Sequence, residues 1–408
     1  MRLSFPYFIA KRLSLQKGSG SSQLIISIAM GAVALSIAVM IVAIAIVKGY
    51  QSEIRGKIIG FSTHIQVSRL DMNNSFETSP IYRDSLLEKL LLSKNGIVHL
   101  QPYSTKPGIL KTEEYFTGVV LKGVDATFDW TFFKQHLQKG TIPNLKNKNQ
   151  SSVDIFISQA LANKLKLNIG DAVLLYLAQS PPRVRKFTIC GIYNSGLTEL
   201  DEIYAFVDMR QVQKLNSWNE FAISGYELAV NNYTQLDVVS NQIAEILPYH
   251  LQVKTIRDLY PQLFDWLGLL DLNVWVIITL MIIVACINMI TVLLILIIER
   301  GNMIGLLKAM GAQNKTISSV FIYMASYLVI SGMVIGNIIA LSVCLSQQYF
   351  GWFKLSPDAY YLTQVPIQLE AMDILLINVG SFVICYVVLL LPAAFVSRIK
   401  PIKAIKFQ

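Results

Sequence analysis

Four stretches of the chain, residues 24–47, 272–298, 316–353 and 374–397, contain no charged side chain. Each exceeds the roughly 18 apolar residues that mark a transmembrane helix. The third is longer than a bilayer requires, so its helix is placed near 317–345 and the remainder in a loop. Between the first and second stretches, over residues 48–271, the pattern changes to short alternating runs and helical periods. "HIQVS" and "VVLKGV" read as strands, and "ISQALANKLKL" as a helix followed by a Gly170-Asp171 turn. "AVLLYLA" and "KFTICGIY" read as strands joined by "QSPPRVR"; its two prolines cannot donate ladder hydrogen bonds and belong at a projecting hairpin tip. "YELAV", "QLDVVSNQIAEIL" and "LQVKTI" then read as strand, helix and strand, and "NLKNKNQSS" as a surface loop. The edges of this segment carry two more stripes, Tyr50, Ile54, Ile58 and Phe61 after the first span, and Leu259, Leu263, Leu267 and Leu270 before the second. These predict stalk helices that carry the spans into the domain, or helices that serve only as its core.

The expected class is a membrane protein: four transmembrane α-helices with a large α+β extracytoplasmic domain between the first and second spans. Its parts are an N-terminal amphipathic segment (1–23), spans at 24–47, 272–298, 316–345 and 374–397, an exported domain (48–271), a short helix (299–315), an exported loop (346–373) and a tail (398–408). In the first of these, Phe5, Phe8, Ile9 and Leu13 oppose Lys11 and Arg12, which predicts an interfacial helix on the inner leaflet or a basic tail that sets topology.

Composition agrees with a membrane protein: 53% of residues are hydrophobic and 15% charged. The net charge of +9 invites a nucleic-acid reading, but its distribution excludes one. Residues 1–23 hold four Lys/Arg and no acid, 299–315 three and one acid, and 398–408 four and none. Segment 48–271 is nearly balanced, with 23 basic and 22 acidic residues, and 346–373 is acidic. The excess alternates across the spans as the positive-inside rule requires, which predicts both termini and the 299–315 loop in the cytoplasm. The 24–47 run exceeds the about 7–15 residues of a signal-peptide core, so it reads as a retained span.

Candidate chemistry is sparse. The chain has no phosphate-cradling G-x-x-x-x-G-K-[ST] and no H-E-x-x-H, and its four histidines are scattered. Cys286, Cys344 and Cys385 lie in spans and Cys190 alone in the exported segment, so that segment has no internal disulfide partner. No ionisable residue occurs in the spans, which argues against an ion relay. Asn288 is expected to make an interhelical hydrogen bond, and Gly332-x-x-x-Gly336 to permit close helix packing.

The informative piece is "ERGNMIGLLKAMGAQNKT", between the second and third spans. On a helix, Met303, Leu306, Leu307 and Met310 fall on one face, with Asn302, Gly305 and Lys308 opposite; Gly311 is a C-cap and Lys308 complements the dipole. A helix of roughly 18 Å is marginal alone in water and requires a surface, either the membrane or a protein groove.

"ERGNMIGLLKAMGAQ" resembles the E-R-x-x-E-I-G-I-L-K-A-L-G-A segment of permeases in the MacB/FtsX superfamily of ABC transporters. It departs at Met303, where that family often has Glu. Within the superfamily, "VKGYQSEIRGKIIGFSTHIQV", "ISQALANKLKLNIGDAVLLY", "FTICGIYNSGLTELDEIYAFVDM" and "YYLTQVPIQLEAMDIL" resemble segments of the lipoprotein-releasing (Lol-type) permeases. The resemblance implies that Glu299, Arg300, Met303, Gly305, Leu306, Leu307, Met310 and Gly311 form a coupling helix that docks on a cytoplasmic ABC ATPase subunit. ATP and Mg would bind that partner, with no cofactor and no catalytic residue in this chain. It further implies a second permease copy or paralogue, a lipoprotein substrate, a periplasmic carrier and residence in the inner membrane of a Gram-negative-type cell. Pro181, Pro182 and Arg183 would contact the carrier. Ile41, Ile44, Val47, Leu269, Val276 and Leu280 would line a lipid cavity or face lipid. Rival readings are a MacB-like exporter of antimicrobial compounds or peptides and an FtsX-like regulator of a cell-wall hydrolase, the latter usually with a smaller exported domain. An autonomous receptor fits the topology but leaves the short helix without a role.

Overall fold

A computed structural model describes residues 7–10, 21–71, 76–145, 151–177, 183–356 and 360–395. The chain forms two compact units, one comprising Met1–Ser52, Trp266–Lys354 and Gln364–Gln408, the other Glu53–Asp265 and Leu355–Thr363.

The first unit is helical. Among the described residues, four helices are long and apolar enough to cross a membrane. They belong to helices Ser21–Ser62, Pro261–Glu299, Asn314–Phe350 and Ala371–Phe395, called here the first to fourth long helices. Their shared core includes Met40, Ile41, Met289, Leu293, Phe321, Leu328 and Leu389. Small residues set the approach of the first and third: a Cβ on Gly336 would lie 2.5 Å from the Ala34 carbonyl oxygen, and one on Gly332 2.9 Å from the Val33 Cβ. Close backbone contact of this kind replaces the hydrophobic drive that lipid removes. Asn337 and Asn378 exchange reciprocal side-chain hydrogen bonds at 2.7 and 3.0 Å, tying the third helix to the fourth.

The third helix continues past residue 345 to Phe350, because Ser346, Gln347 and Gln348 are compatible with a helix and Gly351, at φ +59°, is the first residue to reverse the chain. Gln347 is buried and secures that reversal, donating to the Phe353 and Val365 carbonyls and accepting from the Phe353 amide at 2.9 Å. At the N-terminus residues 7–10 are helical and Ala10 is buried. Phe5, Lys11, Arg12, Leu13 and the 398–408 tail lie outside the described residues.

The second unit is α+β. Its strands are β1 Ile65–Arg69, β2 Ile81–Tyr82, β3 Ile97–Lys111, β4 Phe116–Val124, β5 Leu137–Gly140, β6 Asp154–Ser158, β7 Ala172–Leu177, β8 Arg183–Tyr193, β9 Tyr204–Asp208, β10 Ala222–Ile223, β11 Gly225–Val230 and β12 Leu251–Thr255. Ten of them form one sheet in the order β12-β1-β11-β3-β4-β9-β6-β8-β5, with β7 bridging β3 and β8. The pairs β4–β9 and β6–β8 are parallel and the others antiparallel. β3 was not among the strands read from the sequence, and it carries Pro102 and Pro107, residues that disfavour an interior strand. It exists because it changes partners: residues 97–103 pair with β11 and 109–111 with β7, and Pro107 falls in the gap.

Against the sheet lies an aromatic core of Phe61, Phe128, Trp130, Phe133, Phe156, Tyr193 and Phe206, with ring centroids as close as 4.5 Å. Ile54, Ile58 and Phe61, at the end of the first long helix, are fully buried. The second stripe is interrupted. Leu259 closes a separate turn of helix, Ile256–Leu259, and the long helix begins at Pro261, where a residue without an N–H is tolerated. A buried ion pair crosses the sheet: Lys122 Nζ lies 2.6 Å from Glu227 Oε1, and Gln66 and Gln101 donate to the same carboxylate.

Candidate coupling helix and intramembrane cavity

The segment between the second and third long helices is the helix Gly301–Ala309. Its end is a Schellman motif: Ala312 N–H donates to the Leu307 carbonyl at 2.9 Å, and Gly311 N–H, at φ +90°, to Lys308 at 3.0 Å. The apolar face read from the sequence divides in two. Ile304 and Leu307 are buried (0% and 8% exposed) and belong to the core of the helical unit, with Met303 packed partly against it and Gly305 also buried. Leu306 and Met310 are exposed, at 59% and 67%, and share their face with Asn302 and Ala309. Glu299 and Gly311 are exposed and Arg300 is half-buried. One side of the helix therefore holds it to its own chain, while the other presents Leu306 and Met310.

Within the same unit a cavity of ≈ 400 Å³ lies among the first, second and fourth long helices. Its apolar wall includes Met40, Ile44, Val47, Trp275, Ile278 and Leu376, and its polar groups are Lys48, Asp271, Asp373 and Ser381. Lys48 Nζ bridges Glu370 Oε2 at 2.8 Å and Asp373 Oδ2 at 2.7 Å, and Gln51 Nε2 donates to Asp271 at 2.9 Å. A second, wholly apolar hollow of ≈ 500 Å³ is lined by Val42, Val47, Ile277, Ile339 and Val343, among others. Of the residues expected at a lipid cavity, Ile44 and Val47 line this space, whereas Ile41 is buried in the helix core. Leu269, Val276 and Leu280 are exposed and line neither space, the second helix presenting Val274, Trp275, Ile278 and Ile282 instead. The contribution of the fourth helix was missed; only the pairing of Lys48 with the acids of "LEAMD" could have signalled it.

In the α+β unit the β7–β8 hairpin carries Arg183 at the start of its second strand, whereas Pro181 and Pro182 lie outside the described residues. Arg183 donates to the Lys214 and Leu215 carbonyls at 3.1 and 3.2 Å, and with Arg185, Gln211 and Lys214 it lines a basic hollow of ≈ 260 Å³.

The "SGLTELD" stretch also acquires a physical meaning. Asp201 accepts from the Ser195 N–H at 3.1 Å and the Ser195 hydroxyl at 2.7 Å; burial pushes its carboxyl up to about 6 although Ser195, Gly196 and Lys57 act to lower it. Burial lowers Lys57 in turn, and its ammonium donates to the Tyr361 carbonyl at 2.7 Å. Gly196, at φ +76°, leaves room for that ammonium.

Residues 27–246 match the MacB-like periplasmic core domain, and residues 275–401 match the FtsX-like permease C-terminal domain. The lipoprotein-releasing system transmembrane protein LolC of Xylella fastidiosa (strain 9a5c) is 23% identical over 397 residues, covering 92% of each chain. The lipoprotein-releasing system transmembrane protein LolE of Haemophilus influenzae is 23% identical over 425 residues, covering 98% of each. The periplasmic region of MacB from Actinobacillus actinomycetemcomitans aligns with 51% of this chain and 95% of its own, at 13% identity and a TM-score of 0.35. The chain belongs to the MacB/FtsX superfamily, and along nearly its whole length it is similar to lipoprotein-releasing permeases. It is thus an ABC-type permease, multi-pass in the inner membrane.

Proposed function

We propose that this chain is the permease subunit of an ATP-driven complex that extracts lipoproteins from the outer leaflet of the inner membrane and passes them to a periplasmic carrier. The observation that carries this reading is similarity to lipoprotein-releasing transmembrane proteins along nearly the whole chain. The cavity supports it, being apolar along its wall and charged at Lys48, Asp271 and Asp373, as an acylated polypeptide requires. Both termini and the Gly301–Ala309 helix lie in the cytoplasm, where Leu306 and Met310 enter a groove of a separate ATPase that binds ATP and Mg. Two permease subunits, identical or paralogous, face each other above two ATPases. Nucleotide-driven movement of the short helices closes the exported domains and expels the acyl chains. Work is needed because each buried CH₂ holds a lipid in the bilayer by about 0.8 kcal/mol. The start of β8, with the basic hollow that Arg183, Arg185 and Lys214 line, receives an acidic surface of the carrier.

The test is depletion followed by membrane fractionation. Lipoproteins of the outer membrane should accumulate in the inner membrane. Unchanged distribution would reject lipoprotein release and leave export of another compound or regulation of a cell-wall hydrolase.

A further inference from the structure

The third long helix ends in a cluster of exposed aromatic side chains with no role in the proposed transport path. Tyr349 and Phe350 pack edge to face at 5.0 Å, and Phe350 and Trp352 at 5.9 Å. All three, and Phe353 beyond them, are largely exposed, Tyr349 at 84% and Trp352 at 72%. The left-handed Gly351 turns the chain so that this group projects as one body, followed by Lys354.

The same helix carries a second aromatic level. Tyr323 and Tyr327 are exposed, and the Tyr7 ring packs edge to face on Tyr323 at 6.0 Å, beside the exposed Phe8. Between the two levels most outward residues are aliphatic, Ile330, Val334, Ile338 and Leu345 among them, with Ser342 and Gln348 the exposed polar side chains. From Tyr327 to Tyr349 the helix rises roughly 33 Å at ~1.5 Å per residue. A hydrocarbon core is about 30 Å thick, and an ordinary tilt of about 20° brings the two lengths together. Amphipathic aromatic rings concentrate at the two boundaries of such a core, where one end of the ring is apolar and the other wet.

We propose that the aromatic turn at 349–353 is an anchor in the headgroup zone of the outer leaflet, its partner being the phospholipid itself, and that Tyr7, Phe8, Tyr323 and Tyr327 form its inner-leaflet counterpart. The third helix is thereby held at both faces of the bilayer and fixes the depth at which the rest of the unit sits. Ser346, Gln347 and Gln348 then fall just below the boundary, and Gln347 satisfies its amide internally through the carbonyls of Phe353 and Val365.

The experiment uses the full chain in vesicles whose phospholipids carry bromine either near the ester end or near the methyl end of the acyl chain. The contribution of Trp352 is the difference between the unaltered chain and Trp352→Phe, which keeps an apolar ring and the fold. Trp352 should be quenched at least about twofold more strongly by the shallow bromine than by the deep one, and weakly by aqueous iodide. Strong iodide quenching without bromine quenching would place the turn in water and overturn the proposal. Protection from both quenchers would mean that a protein surface covers it, and would overturn it equally. Neither failure would touch lipoprotein release, which does not depend on this turn.

Discussion

If the Gly301–Ala309 helix couples to an ATPase through its exposed face, Leu306→Ala with Met310→Ala should uncouple the chain without unfolding it. Deleting either side chain to Cβ removes about 2.4 kcal/mol of burial at ~0.8 kcal/mol per methylene-sized group. In the free chain Leu306 is 59% and Met310 67% exposed, so only that share remains to be buried on docking. Each truncation then costs roughly 1.5 kcal/mol and the pair roughly 3 kcal/mol, about a hundredfold in dissociation constant. The assay is titration of the purified chain in nanodiscs with its ATPase subunit, alongside thermal unfolding of the same samples. The double variant should bind about a hundredfold more weakly at an unchanged Tm. Leu307→Ala is the opposite control: that side chain is 8% exposed and packs in the helix core, so its loss should lower stability by ~2–5 kcal/mol, and weaken binding only through misfolding. Unaltered affinity in the Leu306→Ala, Met310→Ala chain would refute the docking face.

Glu227→Gln should destabilise the full chain by ~3–5 kcal/mol in thermal or urea unfolding, because Lys122 is left charged and buried; Lys122→Met combined with Glu227→Leu should recover most of that loss. Asp201 holds its proton more tightly when folded, with a value of about 6 against 3.8, so its contribution is complete below the ordinary value and is lost as pH rises through about 6. Stability should therefore fall between these limits by about 2–3 kcal/mol at ~1.36 kcal/mol per unit, and Asp201→Asn should flatten this part of the Tm–pH curve; equal slopes in both chains would contradict the assignment. Gly336→Ala drives a methyl into the Ala34 carbonyl and should cost ~1–3 kcal/mol, while Gly31→Ala, which meets nothing within 4 Å, should be neutral; matching Tm values would show that the first and third helices are not in close contact there.

The sequence alone was enough for features set by local rules. Charge-free length defines a span whatever surrounds it, and alternation or a 3.6 period marks β1, β4, β7, β8, β11 and β12 and the helices Gln159–Leu165 and Leu236–Ala244. Gly311 ends the short helix wherever that helix sits. Tertiary structure decided the rest, because the relevant neighbours are distant in the chain. Leu306 and Leu307 are equally apolar, and only the core built by the long helices buries one and leaves the other free. Leu269, Val276 and Leu280 could not be told from cavity residues by pattern, since lipid and a neighbouring helix are alike in polarity. The fourth helix joins the cavity through Lys48 and Asp373, a pairing that no local period encodes. β3 tolerates Pro107 because its partners on that side change where this residue cannot donate. Short-range chemistry thus determined which elements form, and long-range packing determined which of their faces remain available for function.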